Sequence, residues 1–274
     1  MFHFKNKETP LPRNRIDLIK DTVKYRFFEL MLLSVYTFLF MVPSLIRLIF
    51  SSYLFGGSDV HTIYEIALIN FVNVIFITFW GLGFAGLFYC LKRISFQEGE
   101  DINKDFFIGI KKNYKMFLLV FFIIGIFYAF LEVSVYMLGT FNLTTLAIGA
   151  LQGILYALFF ILLIPLFFVL IQSVLYIGTF RNFLLNGIKF LVWKILSNIG
   201  IFLLILFPFF IFEFVPSING IEYFQYAILI FDGLFYFAFS FLCFILYSNS
   251  LFDLTINKNY PEMIRKGLAK EKDK

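Results

Sequence analysis

Charge is scarce in this chain. Only 15% of its 274 residues are Asp, Glu, Lys or Arg, against roughly 25% in ordinary soluble domains. That shortage leaves too little polar surface to wrap a water-soluble core. Histidine is nearly missing: His3 and His61 are the only two, so a His-based metal centre or proton relay has almost nothing to build on. Cysteine is limited to Cys90 and Cys243. Both fall in or beside apolar blocks, without the spacing of a zinc site or a disulfide framework, and they read as core or lipid-facing thiols. The chain has no Gly-rich phosphate loop ending in Lys-Ser or Lys-Thr, and no His-Glu-x-x-His. Gly81-Leu82-Gly83-Phe84-Ala85-Gly86 comes near a dinucleotide fingerprint, but it lies inside an apolar block and follows no strand. Neither cofactor binding nor enzymatic catalysis is expected.

Apolar residues make up 61% of the chain, and they come in long blocks rather than an alternating pattern. Crossing a hydrocarbon core about 30 Å thick takes about 20 apolar residues. The expected fold class is therefore all-α, a polytopic membrane bundle of about six transmembrane helices. The spans fall near 27–50, 67–91, 116–138, 146–177, 195–212 and 223–247, with a kink or tilt at Pro165. The first block follows a polar tail and is too long for a signal-peptide core, so it reads as the first anchor. Three regions result: a basic tail with a short interfacial helix (1–26), a six-helix membrane domain (27–250) and a basic C-terminal tail (251–274). The 43 phenylalanines fit an AT-rich coding sequence better than a special aromatic pathway.

The net charge of +5 does not indicate nucleic acid, because the basic residues gather in alternate loops. They lie in the N-terminal tail, between spans two and three, between spans four and five, and in the C-terminal tail. Arg47 is the one exception. The opposite loops hold Asp59, Glu65, Glu213 and Glu222 but no Lys or Arg. By the positive-inside rule both ends are cytoplasmic, and an odd number of spans would break the pattern.

Ionisable groups inside apolar blocks are costly to leave unpaired. Arg47, Glu132 and Asp232 qualify, all in the outer half, and an intramembrane cluster is expected from Arg47 with Glu132 or Asp232. Arg47→Ala should then lower thermal stability and Glu132→Gln partly restore it; additive effects in a melting assay would count against the pair. Glu213 fits snorkelling to the outer interface. On the second span, Asn70, Asn73, Gly81, Gly83 and Gly86 mark either close helix packing or a substrate path. Between spans two and three, Phe106, Phe107, Ile110 and Tyr114 recur at helical spacing beside Lys111, Lys112 and Lys115. They form an interfacial helix that faces anionic lipid or docks a cytoplasmic partner. Ile19-Lys20, Ile110-Lys111 and Ile188-Lys189, the last two after Gly109 and Gly187, lead similarly into outward-going spans, as a parallel repeat of three hairpins would require.

Gly81 through Tyr89, Lys92-Arg93, Asp105-Phe106-Phe107 and Lys111-Lys112-Asn113-Tyr114-Lys115 resemble the YesL-like family of small bacterial membrane proteins. Val42-Pro43, the stretch Arg181-Asn182 to Lys189, and Tyr260-Pro261-Glu262 with Arg265-Lys266-Gly267-Leu268 are similar as well. The N-terminal tail and first outer loop are longer than that family's, and Phe stands at many of its Leu positions. The resemblance implies a six-helix protein of the cell membrane often encoded among carbohydrate-uptake genes. Its partners would then be the lipid bilayer and an ABC-type permease. A structural or regulatory membrane protein working through its basic loops is the alternative.

Overall fold

The computed structural model describes residues 11–44, 62–98, 101–214 and 231–269, with the side chains of 208–214 and of Asp232 excepted. The described residues form no strand. Helix α1 covers Arg15–Tyr25 and α2 Phe27–Leu39. The long helices follow: α3 over Ile63–Ser95, α4 over Ile102–Thr140 and α5 over Thr145–Leu175. Helix α6 covers Phe180–Trp193 and α7 Ile195–Phe214. A π-helical turn, Asp232–Tyr236, leads into α8, Phe237–Leu254, and two short 3-10 turns close the chain.

Four of these helices are long and apolar enough to cross a membrane: α3, α4, α5 and the stretch Gly233–Leu254. The pair α6 and α7, bent by 105° at their junction, is apolar enough to make a fifth crossing if the two count as one broken span, and is otherwise a re-entrant hairpin. The chain is thus a multi-pass integral membrane protein, and against the expected six the described residues hold four continuous spans, or five with the bent pair counted as one. The first expected span does not run as a single helix to Phe50. Helix α2 stops after 13 residues, where Phe40 and Met41 turn back onto the carbonyls of Thr37 and Phe38. Pro43, with no N–H and a ring that crowds the preceding turn, disfavours continuation there.

The segment expected as a separate interfacial helix is continuous with the third span. Helix α4 runs 39 residues without a break, about 58 Å at the usual rise. It stays helical because its first half packs along α3. A Cβ at Gly109 would lie 3.1 Å from the Ala85 carbonyl oxygen, and one at Gly81 would lie 2.9 Å from the Phe117 carbonyl oxygen. The next hairpin uses the same device: a Cβ at Gly187 of α6 would sit 2.7 Å from the carbonyl oxygen of Pro165 in α5. Helix α5 continues through that proline.

Burial is uneven along α5. From Leu163 to Val174 nearly every side chain is buried, whereas Leu146, at 87% exposure, and Ile154 and Leu158 near the other end face outward. The second half of α5 is therefore enclosed by the bundle, whereas its first half shows one side outward. Phenylalanine rings fill the packed part: Phe167 stacks on Phe241 at 5.6 Å, and Phe202 meets Phe244 edge-on at 5.1 Å.

Polar side chains within this core pair with one another. Gln172 is fully buried; its Nε2 donates to the carbonyls of Phe168 and Phe183, and its Oε1 accepts from Asn186. At the α6–α7 break, Asn198 Nδ2 donates to the carbonyls of Phe190 and Leu191, and its Oδ1 accepts from the Tyr247 hydroxyl. A broken helix in an apolar setting frees backbone carbonyls that need a donor, and Asn198 supplies one. Ser34 serves the π-helical turn in the same way: its hydroxyl donates to Phe235 O and accepts from Ala238 N–H.

Candidate functional site

The candidate site is the end of the bundle where the basic residues gather. Helix α3 ends there with Lys92 and Arg93, and α4 begins there with Lys104, Lys111 and Lys112. Both chain termini are tied to it. The amide of Ala269 donates to Pro12 O at 3.0 Å, and the Arg265 guanidinium donates to Arg13 O at 3.1 Å. The two tails therefore share one end of the bundle, in line with the charge segregation of the sequence.

The C-terminal region is a folded clasp rather than a loose tail. Helix α8 runs past its expected end near Tyr247 to Leu254, because Leu251 and Phe252 are buried in the core. Arg15 of α1 pairs with Asp253 at 2.9 Å and also donates to Lys266 O. Asp253 accepts from Asn257, whose Oδ1 accepts from the Tyr176 hydroxyl at 2.6 Å. Burial, then the nearby Asp253 and Tyr260, raise the Tyr176 phenol above its usual range; the Asn257 hydrogen bond works the other way. Gly267 has φ of +82° and lies so close to Ser95 O that a Cβ would clash. Only glycine adopts that conformation at little cost. A narrow cleft, with no room for a water-sized molecule, lies among Arg15, Tyr176, Asn249, Asp253 and Asn257. Its charged and polar groups are already engaged with each other, so its chemistry is that of a fastening. Helix α1, expected at the interface, also belongs to this core, since Leu18 is fully buried.

The residues singled out on α4 divide between two faces. Phe106 points inward, 1% exposed, which corrects its expected place on a docking surface. It fills the space that Gly86 leaves open, and a Cβ there would come within 2.7 Å of its ring. Tyr36 covers it from α2 at 5.2 Å. Phe107, at 62% exposure, points outward with Ile108, Lys111, Tyr114 and Lys115. Lys112 is exposed but turns toward α3, where its Nζ lies 3.4 Å from the Tyr89 hydroxyl. Asp105, beside it in sequence with Phe106, is buried and pairs with Arg93.

On α3, Gly81 and Gly86 face α4, and Gly83 faces α2, 3.0 Å from Thr37 O for an added Cβ. All three mark close helix approach. Asn70 donates to Ile66 O within its own helix. Asn73 is buried, and its Oδ1 has no partner among the described residues. Glu132 is half-buried on α4 and engaged in an interaction. Arg47 and the Asp232 side chain lie outside the described residues, so the expected outer cluster does too. Cys90 and Cys243 are free thiols, the first buried. Among the described residues no three His, Cys, Asp or Glu side chains converge as a metal site needs.

Residues that reading the sequence missed are mostly polar ones inside apolar runs. Gln172 and Asn198 are isolated amides in such runs, which was the available signal. Arg15 with Asp253 gave none, since 238 residues separate them.

These features define the protein's class: an all-α, multi-pass membrane bundle closed at its basic end by its own two tails. Comparison with protein-family profiles, curated proteins and solved structures gives no match for this chain.

Proposed function

We propose that this chain is a non-catalytic accessory subunit of a carbohydrate uptake system in the cell membrane, docking on an ABC-type permease from the cytoplasmic side. One observation carries the reading. Residues 102–115 of α4 extend about 20 Å beyond the apolar run that starts at Met116, and they carry an exposed strip of Phe107, Ile108, Lys111, Tyr114 and Lys115. Exposed aromatic residues are the enriched component of a docking face, and the lysines beside them have the place of its polar rim. The YesL-like resemblance supplies the kind of partner.

The interior supports an accessory role over that of a permease. The deep polar groups Gln172 and Asn198 spend their hydrogen bonds on neighbouring helices.

Affinity purification in mild detergent tests this. A permease and its ATPase should accompany the wild-type chain and be lost from Phe107→Ala/Lys111→Glu. Recovery of the chain alone, together with normal sugar uptake in a deletion strain, would sink the proposal. Recovery of a different membrane partner would favour the structural or regulatory reading, in which the same strip serves another protein.

A further inference from the structure

The exposed strip of α4 leaves a second set of cations unused, on the other side of that helix. Lys112 reaches back to α3, where its Nζ lies 5.4 Å from the centre of the Tyr89 ring and 3.4 Å from the Tyr89 hydroxyl. Lys92, one turn further along α3, lies 6.0 Å from the same ring. Lys266, brought in by the C-terminal clasp, sits 4.8 Å over the Phe96 ring. Lys266, Lys112 and Arg93 are all close enough to Lys92 for their charges to repel its own.

Among the described residues the compensation is incomplete, although the Glu98 carboxylate also acts on Lys92. Two carboxylates belong to the cluster. Asp105 is taken by Arg93, and Glu98 pairs with Lys266 at 2.7 Å. Lys92 donates to Val174 O, the last turn of α5, at 2.9 Å, which uses one of its three N–H donors. Lys112 has a phenol and an aromatic face but no carboxylate partner among the described residues. Among the described residues four cations, Lys92, Arg93, Lys112 and the C-terminal Lys266, thus face two carboxylates near the seam between α3 and α4.

Depth identifies what would fill it. Lys112 stands one turn outside Lys115, after which α4 is apolar from Met116 onward. That is the level at which phospholipid phosphates lie against a bundle. We infer that Lys92, Lys112 and the Tyr89 hydroxyl, flanked by Lys266, form a binding site for a phosphate group, and that its natural occupant is the headgroup of an anionic phospholipid. The two ammonium groups, 6.0 and 5.4 Å from the centre of the Tyr89 ring, and the phenol carry the donors for phosphate oxygens. The site lies apart from the Phe107 strip, so it stands or falls independently of the permease reading.

The test uses the purified full-length chain in detergent. Short-chain phosphatidylglycerol, phosphatidylcholine and inorganic phosphate are each titrated, with bound molecules counted by native mass spectrometry and thermal unfolding followed in parallel. Phosphatidylglycerol should bind and raise the melting temperature, and phosphatidylcholine should not. Inorganic phosphate competing at similar concentration would identify a free phosphate site of the same chemistry; no competition would identify the lipid. Lys112→Gln should weaken phosphatidylglycerol binding about fivefold, the share of one cation at a membrane surface. Because Lys112 is exposed, that variant keeps the fold even where Lys92→Gln disturbs α5. Lys104→Gln, on an 80%-exposed side chain outside the cluster, is the control. Equal binding of the two lipids, or equal losses from Lys112→Gln and Lys104→Gln, would overturn the site in favour of diffuse surface attraction.

Discussion

The close approach of α3 and α4 can be tested at two glycines that differ in what they touch. At Gly81 an added Cβ would lie 2.9 Å from the Phe117 carbonyl oxygen and 3.0 Å from its carbon, while ordinary contact begins at 3.4 Å. The obstacle is backbone, so Gly81→Ala must push the two helices apart by about 0.5 Å. A gap of that size forfeits a quarter or more of each contact's attraction along the seam. At Gly86 the obstacle is the Phe106 ring, 2.7 Å away, boxed in by Tyr36 and Phe40. Overpacking of this kind costs about 1–3 kcal/mol, reduced by up to about 1 kcal/mol from alanine's better helix propensity. Both variants should therefore lower stability, by about 1–2 kcal/mol. Only one can be rescued. Adding Phe106→Leu to Gly86→Ala frees the space the methyl needs and should recover most of the loss, whereas Phe106→Leu added to Gly81→Ala should make matters worse. Thermal melts of these four variants, of Phe106→Leu alone and of the wild type in one detergent, read as two double-mutant cycles, decide it. If Gly81→Ala melts with the wild type, or if Phe106→Leu rescues both glycine variants alike, the described seam is wrong.

Other expectations follow from the polar groups. Gln172→Leu removes bonds to Phe183 O and to Asn186, and should cost about 1–2 kcal/mol at about 0.6 kcal/mol for each interhelical bond plus the groups left unpaired. Asn186→Leu added to it should cost little more, and full additivity in the melts would argue against the network. Arg15→Ala should open the C-terminal clasp, seen as faster amide exchange around Leu268 with α5 unchanged; equal protection in both proteins would show that the Arg15–Asp253 pair does not hold it. The raised Tyr176 phenol gives the clasp an alkaline limit. Below pH 10, the ordinary tyrosine value, the phenol is protonated in folded and unfolded chains alike and its contribution is intact. As pH rises beyond that, the unfolded chain loses the proton first, so stability falls. Tyr176→Phe should flatten this part of the pH profile, and an unchanged slope would assign it to other groups.

Several features could be read directly from residue order. Membrane insertion depends on how many apolar residues follow one another, and α3, α4, α5 and α8 announce themselves that way. Orientation depends on which loops hold Lys and Arg, and the hydrogen bond between Ala269 and Pro12 places both tails at one end as those loops require. Capping was equally local: Thr62 with Glu65 opens α3 and Thr144 opens α5. The split between Phe106 and Phe107 was not legible, because both are apolar, adjacent and equally suited to an interface. Neither was the joining of the interfacial segment to the third span, since Gly109 reads as a weak point until Ala85 and Tyr89 are seen against it.

By itself, then, the sequence determined the class, the helical elements and the shared side of the basic residues. These follow from the chain's dealings with a bilayer, which is nearly uniform and senses only length, polarity and charge in order. The tertiary structure alone decided that α4 is one helix with Phe106 locked into the hollow at Gly86, that α6 and α7 meet at a sharp bend capped by Asn198, and that Arg15 and Asp253 clasp the tails. It also decided that Lys112 leaves its neighbours Lys111 and Lys115 to join Lys92 across the seam. Each of these depends on the shape of a partner surface far away in sequence, and packing responds to shape at the scale of a single methyl group.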